Sequence, residues 1–231
     1  MGTEIAKRRA AEAALKHVVD GQIIGLGSGT TMKHFIDLLS KKIEREKLNV
    51  EVAASSFQVY LEATRKGLKV LDAYSLSEVD LTIDGADEID SSLNLLKGGG
   101  AALTREKILA EMSKKYVIIA DYTKLVTRIG EKHPIPIEIL PFGWKGTIKR
   151  LSRFGRVEVR NCKGGKVGPV ITDNGNLIVD LHLEREYVEI EKIERRIKNI
   201  VGVVEVGIFS GLADIAYIGY EDHIEILNRN R

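Results

Sequence analysis

Two rhythms alternate along the first half of the chain. Short runs that are apolar throughout, at Gln22–Leu26, Val50–Ala54, Leu81–Ile83 and Tyr116–Ala120, predict strands buried on both faces. Between them lie amphipathic stretches. From Thr31 to Lys47, Met32, Phe35, Ile36, Leu39 and Ile43 recur at helical spacing, and similar patterns predict helices over 3–20, 56–66 and 104–114. A short strand over 69–71 completes the set. Apolar strands alternating with helices predict an α/β, Rossmann-like, mostly parallel sheet covered by helices on both faces.

The rhythm changes after residue 130. Pro134, Pro136 and Pro141 punctuate 133–142, which predicts an edge strand and loop rather than a central strand. A helix at 144–154, strands at 156–161 and 176–182, a helix at 189–200 and a strand at 203–208 follow. Asp173-Asn174-Gly175-Asn176, between the middle strands, is a hairpin signal. Strand–helix–strand–strand–helix–strand is the ferredoxin-like order. The division expected is therefore a large domain of 1–130 and 206–231, with a small α+β domain over 131–205.

Composition narrows the function. The 231 residues are 44% hydrophobic and 29% charged, with a formal net charge of +2. Acidic and basic residues are interleaved, and no basic stripe carries aromatics between its charges, so nucleic acid is not an expected partner. Lys192-Ile193-Glu194-Arg195-Arg196 reads as a solvated helix face. The single cysteine, Cys162, excludes an internal disulfide and a cysteine-rich metal site. No apolar run approaches a membrane span, and the first residues do not read as a signal peptide. No membrane association and a cytoplasmic location are expected.

Three loops at predicted strand ends carry the chemistry, which is where ligands bind in open α/β sheets. Gly25-Leu26-Gly27-Ser28-Gly29-Thr30-Thr31 exposes amides and hydroxyls at a helix N-terminus, a cradle for one phosphate. It fails the dinucleotide fingerprint, because Thr30 stands at the third glycine position and no acid follows the second strand. Asp84-Gly85-Ala86-Asp87-Glu88 clusters carboxylates without the spacing of a calcium loop or a nearby histidine, so no metal is expected. The third loop, Lys97-Gly98-Gly99-Gly100, leads into a predicted helix bearing Glu106. A general base, a cation, carboxylates and a bank of amide donors together suit proton transfer beside a carbonyl, where an enediolate must be stabilised. Taken singly, each loop reads equally well as a glycine turn with solvated charges, and Glu106 as a favourable first-turn acid.

In combination these segments resemble type A ribose-5-phosphate isomerases. The resemblance rests on Gly27-Ser28-Gly29-Thr30-Thr31, Asp84–Ile89, Lys97–Ala102 and Leu103-Thr104-Arg105-Glu106-Lys107. Ala120-Asp121 with Lys124, Pro136-Ile137-Glu138 and Thr172–Asn176 extend it over essentially the whole chain. One departure is Ser28-Gly29-Thr30-Thr31, where the family pattern has Thr-Gly-Ser-Thr. The resemblance implies interconversion of ribose 5-phosphate and ribulose 5-phosphate with no metal or nucleotide cofactor, by a homodimer or homotetramer. It implies Glu106 as the base that moves a proton between C2 and C1, and Lys97 with the amides of Gly98, Gly99 and Gly100 as oxyanion stabilisers. Asp84 and Asp87 would handle hydroxyl protons and hold the sugar along Gly85 and Ala86. Ser28, Gly29, Thr30 and Thr31 would grip the phosphate. Lys124 and Lys7 would add positive charge, although Lys7 also reads as a solvated helix residue. A coenzyme A transferase using a nucleophilic glutamate, or a sugar-phosphate sensor without turnover, are the competing classes.

Overall fold

The computed structural model describes residues 2–165, 167–184 and 189–229. The strands are β1 (Ile23–Leu26), β2 (Glu51–Ala54), β3 (Lys69–Val70), β4 (Leu81–Asp84), β5 (Glu88–Ile89), β6 (Leu95–Leu96) and β7 (Tyr116–Asp121). After them come β8 (Ile135–Ile139), β9 (Gly155–Val159), β10 (Leu177–Leu183), β11 (Val203–Val206), β12 (Ile208–Phe209), β13 (Ile215–Gly219) and β14 (Ile224–Asn228). The helices are α1 (Gly2–Ala14), α2 (Thr30–Glu46), α3 (Phe57–Arg65), α4 (Leu103–Glu111), α5 (Trp144–Leu151) and α6 (Ile190–Lys198). The expected long first helix ends at Ala14 and finishes as a 3-10 turn over Leu15–His17.

The large sheet has the order β14-β13-β7-β4-β1-β2-β3 and is parallel except for the β14 edge. Its central strands alternate between two buried faces. On β7, Val117 and Ile119 join the core with Phe35, Leu39 and Tyr217, whereas Tyr116, Ile118 and Ala120 join one with Leu103, Phe209 and Ile218. Both faces of the strand are thus dry, which explains its uninterrupted apolar sequence. From β1 the chain winds outward through β2 and β3, then returns to β4 on the other side of β1. The C-terminal ends of β1 and β4 therefore flank the point where strand order reverses, the usual crevice for a ligand in such sheets.

The second sheet is antiparallel with the order β11-β8-β10-β9, the ferredoxin-like arrangement, and α5 and α6 complete it around their own core. One expectation is corrected here. The proline-punctuated segment is not an edge: β8 pairs with β10 on one side and β11 on the other, with Pro136 inside it. The reason is local. Gly207 donates its N–H to the Pro136 carbonyl at 2.7 Å, but the Gly207 carbonyl accepts from Lys97 N–H at 2.8 Å. The donor that proline lacks is thus supplied by another residue, and the ladder tolerates it. A small third sheet, β12-β6-β5, links the two larger ones and carries Lys97 at its end.

Candidate functional site

Strand β4 delivers Asp84, its last residue, to the crevice with no exposed surface. Gly27 follows β1 directly alongside, its N–H donating to the Ile83 carbonyl at 2.9 Å. A Cβ at Gly27 would lie 1.8 Å from Asp84 Oδ1, so only glycine leaves room for that carboxylate. From β6, Lys97 reaches in with 3% of its side chain exposed. Its Nζ lies 2.9 Å from Asp84 Oδ2 and 3.3 Å from Glu106 Oε2, and donates to the Gly85 carbonyl at 2.7 Å. Glu106 stands in the first turn of α4, also 3% exposed. Its other oxygen, Oε1, accepts from the Ser28 hydroxyl at 2.5 Å and the Ser28 amide at 3.3 Å.

Two carboxylates thus share one buried ammonium. Burial pushes the Asp84 carboxyl up, the charge of Glu106 adds to the rise and Lys97 opposes it, leaving Asp84 at about 7. For Lys97, burial works downward, but Asp84 and then Glu106 outweigh it and raise the ammonium above its ordinary value. These tendencies conflict in part, since a fully charged Lys97 favours ionised Asp84. We read Lys97 as permanently charged, because it touches two carboxylates and a carbonyl, and Asp84 as the group that titrates near neutrality. Below Asp84, Tyr116 donates its phenol to Oδ2 at 3.2 Å, and burial followed by the Asp84 charge pushes the Tyr116 hydroxyl well above its usual range.

Above these groups opens one small cleft. Its lining comes from the loop leading into α2 and its first turn (Ser28 to Thr31), the loop after β4 (Gly85 to Asp87), Lys97 and the glycine loop to Gly100, Glu106 and Lys124. Asp87 does not touch the lysine; its Oδ2 accepts the Gly99 N–H at 2.7 Å. Gly29, Thr30 and Thr31 begin α2, whose unpaired amides and dipole make that part of the lining electropositive. Lys7 is placed elsewhere. It does not line the cleft, and its Nζ pairs with Glu4 at 2.7 Å on the same helix. The larger cavity of about 820 Å³ is an open groove lined by Asp90, Arg128, Glu184, Glu189 and Arg229. Residues on both sides of the undescribed 185–188 border it, and the buried lysine lies outside it.

Three contacts to this site escaped the sequence reading. Glu138, fully buried on β8, accepts from Thr104 at the start of α4, from Thr172, and from Asn174 and Asn176 of the Asp173–Asn176 turn. Four donors around one carboxylate anchor the first turn of α4 to the second, antiparallel sheet. Lys107, next to Glu106, is tied to Glu194, Glu205 and the carbonyls of Val206 and Ile208. Arg160 holds the glycine loop from behind. Lys107 and Glu138 had a sequence signal only as members of the Leu103–Lys107 and Pro136–Glu138 motifs, and Arg160 had none. Among the described residues, no group of three or more His, Cys, Asp or Glu side chains is placed to hold a metal ion, and no helix is long and apolar enough to cross a membrane.

A doubly wound sheet with a lysine between two carboxylates at its switch point, facing an amide-rich phosphate-type loop, defines an α/β acid–base enzyme for a small anionic substrate. Comparison with known proteins gives the family. Residues 51–223 match the family model of ribose 5-phosphate isomerase A (phosphoriboisomerase A). The chain is 46% identical to ribose-5-phosphate isomerase A of Archaeoglobus fulgidus, over 88% of this chain and 90% of that protein, and 39% identical to that of Pyrococcus horikoshii over 99% and 100%. A D-ribose-5-phosphate isomerase solved in complex with phospho-erythronic acid superposes with a TM-score of 0.94 at 39% identity, covering 99% of this chain and 100% of that one. The enzyme of Methanocaldococcus jannaschii gives 0.91 at 38% identity, over 97% and 99%. This chain belongs to the ribose 5-phosphate isomerase A family.

Proposed function

We propose that this protein interconverts D-ribose 5-phosphate and D-ribulose 5-phosphate through an enediolate. The observation that carries the reading is the position of Lys97 Nζ, 2.9 Å from Asp84 and 3.3 Å from Glu106 at the edge of the cleft. A proton moving between C1 and C2 needs a base that can reach both carbons and a fixed cation at the oxygen that gains charge. Glu106 is the base. Lys97, with the amides of the Gly98–Gly100 loop, stabilises the enediolate oxygens. Asp84 titrates near neutrality, as a group that passes hydroxyl protons during ring opening must. Asp87 holds the sugar hydroxyls, Gly29 to Thr31 with Lys124 hold the phosphate, and Ser28, the first residue of that loop, holds Glu106. Lys7 is left to its partner Glu4 unless the phosphate draws it away. A similar isomerase was solved in complex with phospho-erythronic acid, a phosphorylated carboxylic acid; the buried ammonium and phosphate-type loop of the cleft here would suit such a compound.

The coenzyme A transferase reading asks for a glutamate free to attack an acyl group. Here both Glu106 oxygens are engaged, by Ser28 and Lys97, as suits a base held in place. We further propose a large domain of 1–130 and 206–231, a small one of 131–205, a cytoplasmic location, and a homodimer or homotetramer. Supporting self-association, Leu140, Phe142, Trp144 and Val201 are all exposed near one end of the antiparallel second sheet, where the Leu140 N–H to Gly202 carbonyl bond joins the segments after β8 and before β11.

The deciding experiment is incubation with ribose 5-phosphate in heavy water, with a chelator and no nucleotide. Ribulose 5-phosphate carrying deuterium beside its carbonyl is the expected product. Acyl transfer from an acyl-coenzyme A, or binding without turnover, would replace this reading by one of its competitors.

A further inference from the structure

The glycine loop is held on its outer side by one guanidinium. Arg160, just past the end of β9, donates from Nη1 to the carbonyls of Gly98 at 2.7 Å and Gly99 at 3.1 Å. Asp180 on β10 grips the same guanidinium from the other side, accepting from Nε at 2.9 Å and from Nη2. Both side chains are 17% exposed, so the pair is mostly shielded from water. The loop needs holding. Gly98 sits at φ +103° and Ala101 at φ +62°, a left-handed conformation that a residue with a Cβ adopts only under constraint. Ala101 N–H closes the turn on the Gly98 carbonyl at 3.0 Å, so that carbonyl has two donors.

Peptide planarity turns this into an orientation for the cleft. In a trans peptide the C=O and the following N–H point in opposite directions. Pinning the carbonyls of Gly98 and Gly99 toward Arg160 therefore aims the N–H groups of Gly99 and Gly100 toward the cleft. The Gly99 N–H is found on the cleft residue Asp87. A positive charge at the carbonyl end also polarises each peptide, making its N–H a stronger donor.

We propose that Arg160, fixed by Asp180, is a positioning residue that aims the Gly100 amide at the oxygens gaining charge in the reaction and keeps the Gly99 amide on Asp87. The proposal rests on the isomerase reading above. It also assigns the small α+β unit a part in catalysis, although that unit contributes no acid–base group.

The test compares wild type, Arg160→Met, Arg160→Lys and Asp180→Asn. In Arg160→Met, kcat for ribose 5-phosphate falls about 10–100-fold, as expected when donors are misaimed rather than deleted. KM and the inhibition constant of inorganic phosphate stay within about two-fold, because phosphate gripping and donor alignment are separate functions. Arg160→Lys recovers only part of the rate, since an ammonium cannot reproduce the fork across two carbonyls and a carboxylate. Amide hydrogen exchange adds a readout independent of turnover: segment 98–101 exchanges faster in Arg160→Met while β7 does not. Should Arg160→Met fail to fold, Asp180→Asn keeps the guanidinium but loosens it, and the same kcat loss at constant KM is expected on a smaller scale. Wild-type kcat in a folded variant, or loss confined to KM, would overturn the proposal, as would unchanged exchange at 98–101. A wild type that does not isomerise ribose 5-phosphate would instead overturn the isomerase reading, with the exchange data still reporting on the loop.

Discussion

Ser28 and Glu106, seventy-eight positions apart, meet through a hydroxyl and a carboxylate oxygen 2.5 Å from each other. The phosphate loop and the proposed base are therefore mechanically joined. Ser28 belongs by sequence to the phosphate loop, yet its side chain is spent on orienting the carboxylate, while Thr30 and Thr31 remain beside it in the cleft lining.

That division predicts different kinetics for neighbouring hydroxyls. Ser28→Ala releases Glu106 Oε1 and lowers kcat about ten-fold, the value of one charge-assisted hydrogen bond, with little change in KM. Thr31→Val keeps shape, removes a phosphate donor and raises KM by about ten-fold with kcat nearly intact. Steady-state assays of both variants check this, and KM effects of equal size from both would argue against the assignment.

Stability should also depend on pH through Asp84. Its carboxyl lies at about 7 in the folded protein against an ordinary 3.8. Between those values the folded state holds more protons than the unfolded one, so stability falls as pH rises from about 4 to about 7. The upper limit of this single contribution is about 4 kcal/mol, at about 1.4 kcal/mol per unit. Asp84→Asn removes it and flattens the slope. Denaturant unfolding at pH 5 and 7.5 measures the effect, and an identical pH dependence in the variant would show that Asp84 titrates normally.

Lys97 compensates two buried acids at once, which predicts coupling. Lys97→Met strands Asp84 and Glu106 together and should destabilise by about 3–5 kcal/mol near neutral pH. Adding Asp84→Asn removes one stranded charge, and the double variant should recover at least about 1 kcal/mol relative to additivity. A strictly additive double-mutant cycle would mean that the lysine and the aspartate do not share their charge as the 2.9 Å contact indicates.

The sequence discloses these features unevenly. Strands such as β7 were plain because both faces are apolar, and the three loops were plain because glycines and acids cluster at strand ends. Strand β8 was misread as an edge, since the Lys97 N–H that takes the place of the missing proline donor lies thirty-nine residues away. The β5, β6 and β12 strands have two residues each and offer no period to detect. Glu138 stood out only within the Pro136-Ile137-Glu138 motif and Arg160 and Asp180 not at all, because their meaning lies in what they touch across the fold. Lys7, expected to add charge at the phosphate but equally readable as a solvated helix residue, pairs with Glu4 outside the cleft lining.

The central claim is that Glu106 is the base. Glu106→Gln retains size and the capacity to meet Ser28 and Lys97, but lacks the basic oxygen. We predict a folded protein whose kcat for ribose 5-phosphate is lower by about 10²–10⁴-fold, with substrate binding little changed. If Glu106 served only as a first-turn acid, its loss would cost about 0.3–1 kcal/mol of stability and leave turnover intact. The kcat of folded Glu106→Gln therefore separates the two roles by orders of magnitude: a large fall supports the account, and a near-wild-type rate contradicts it.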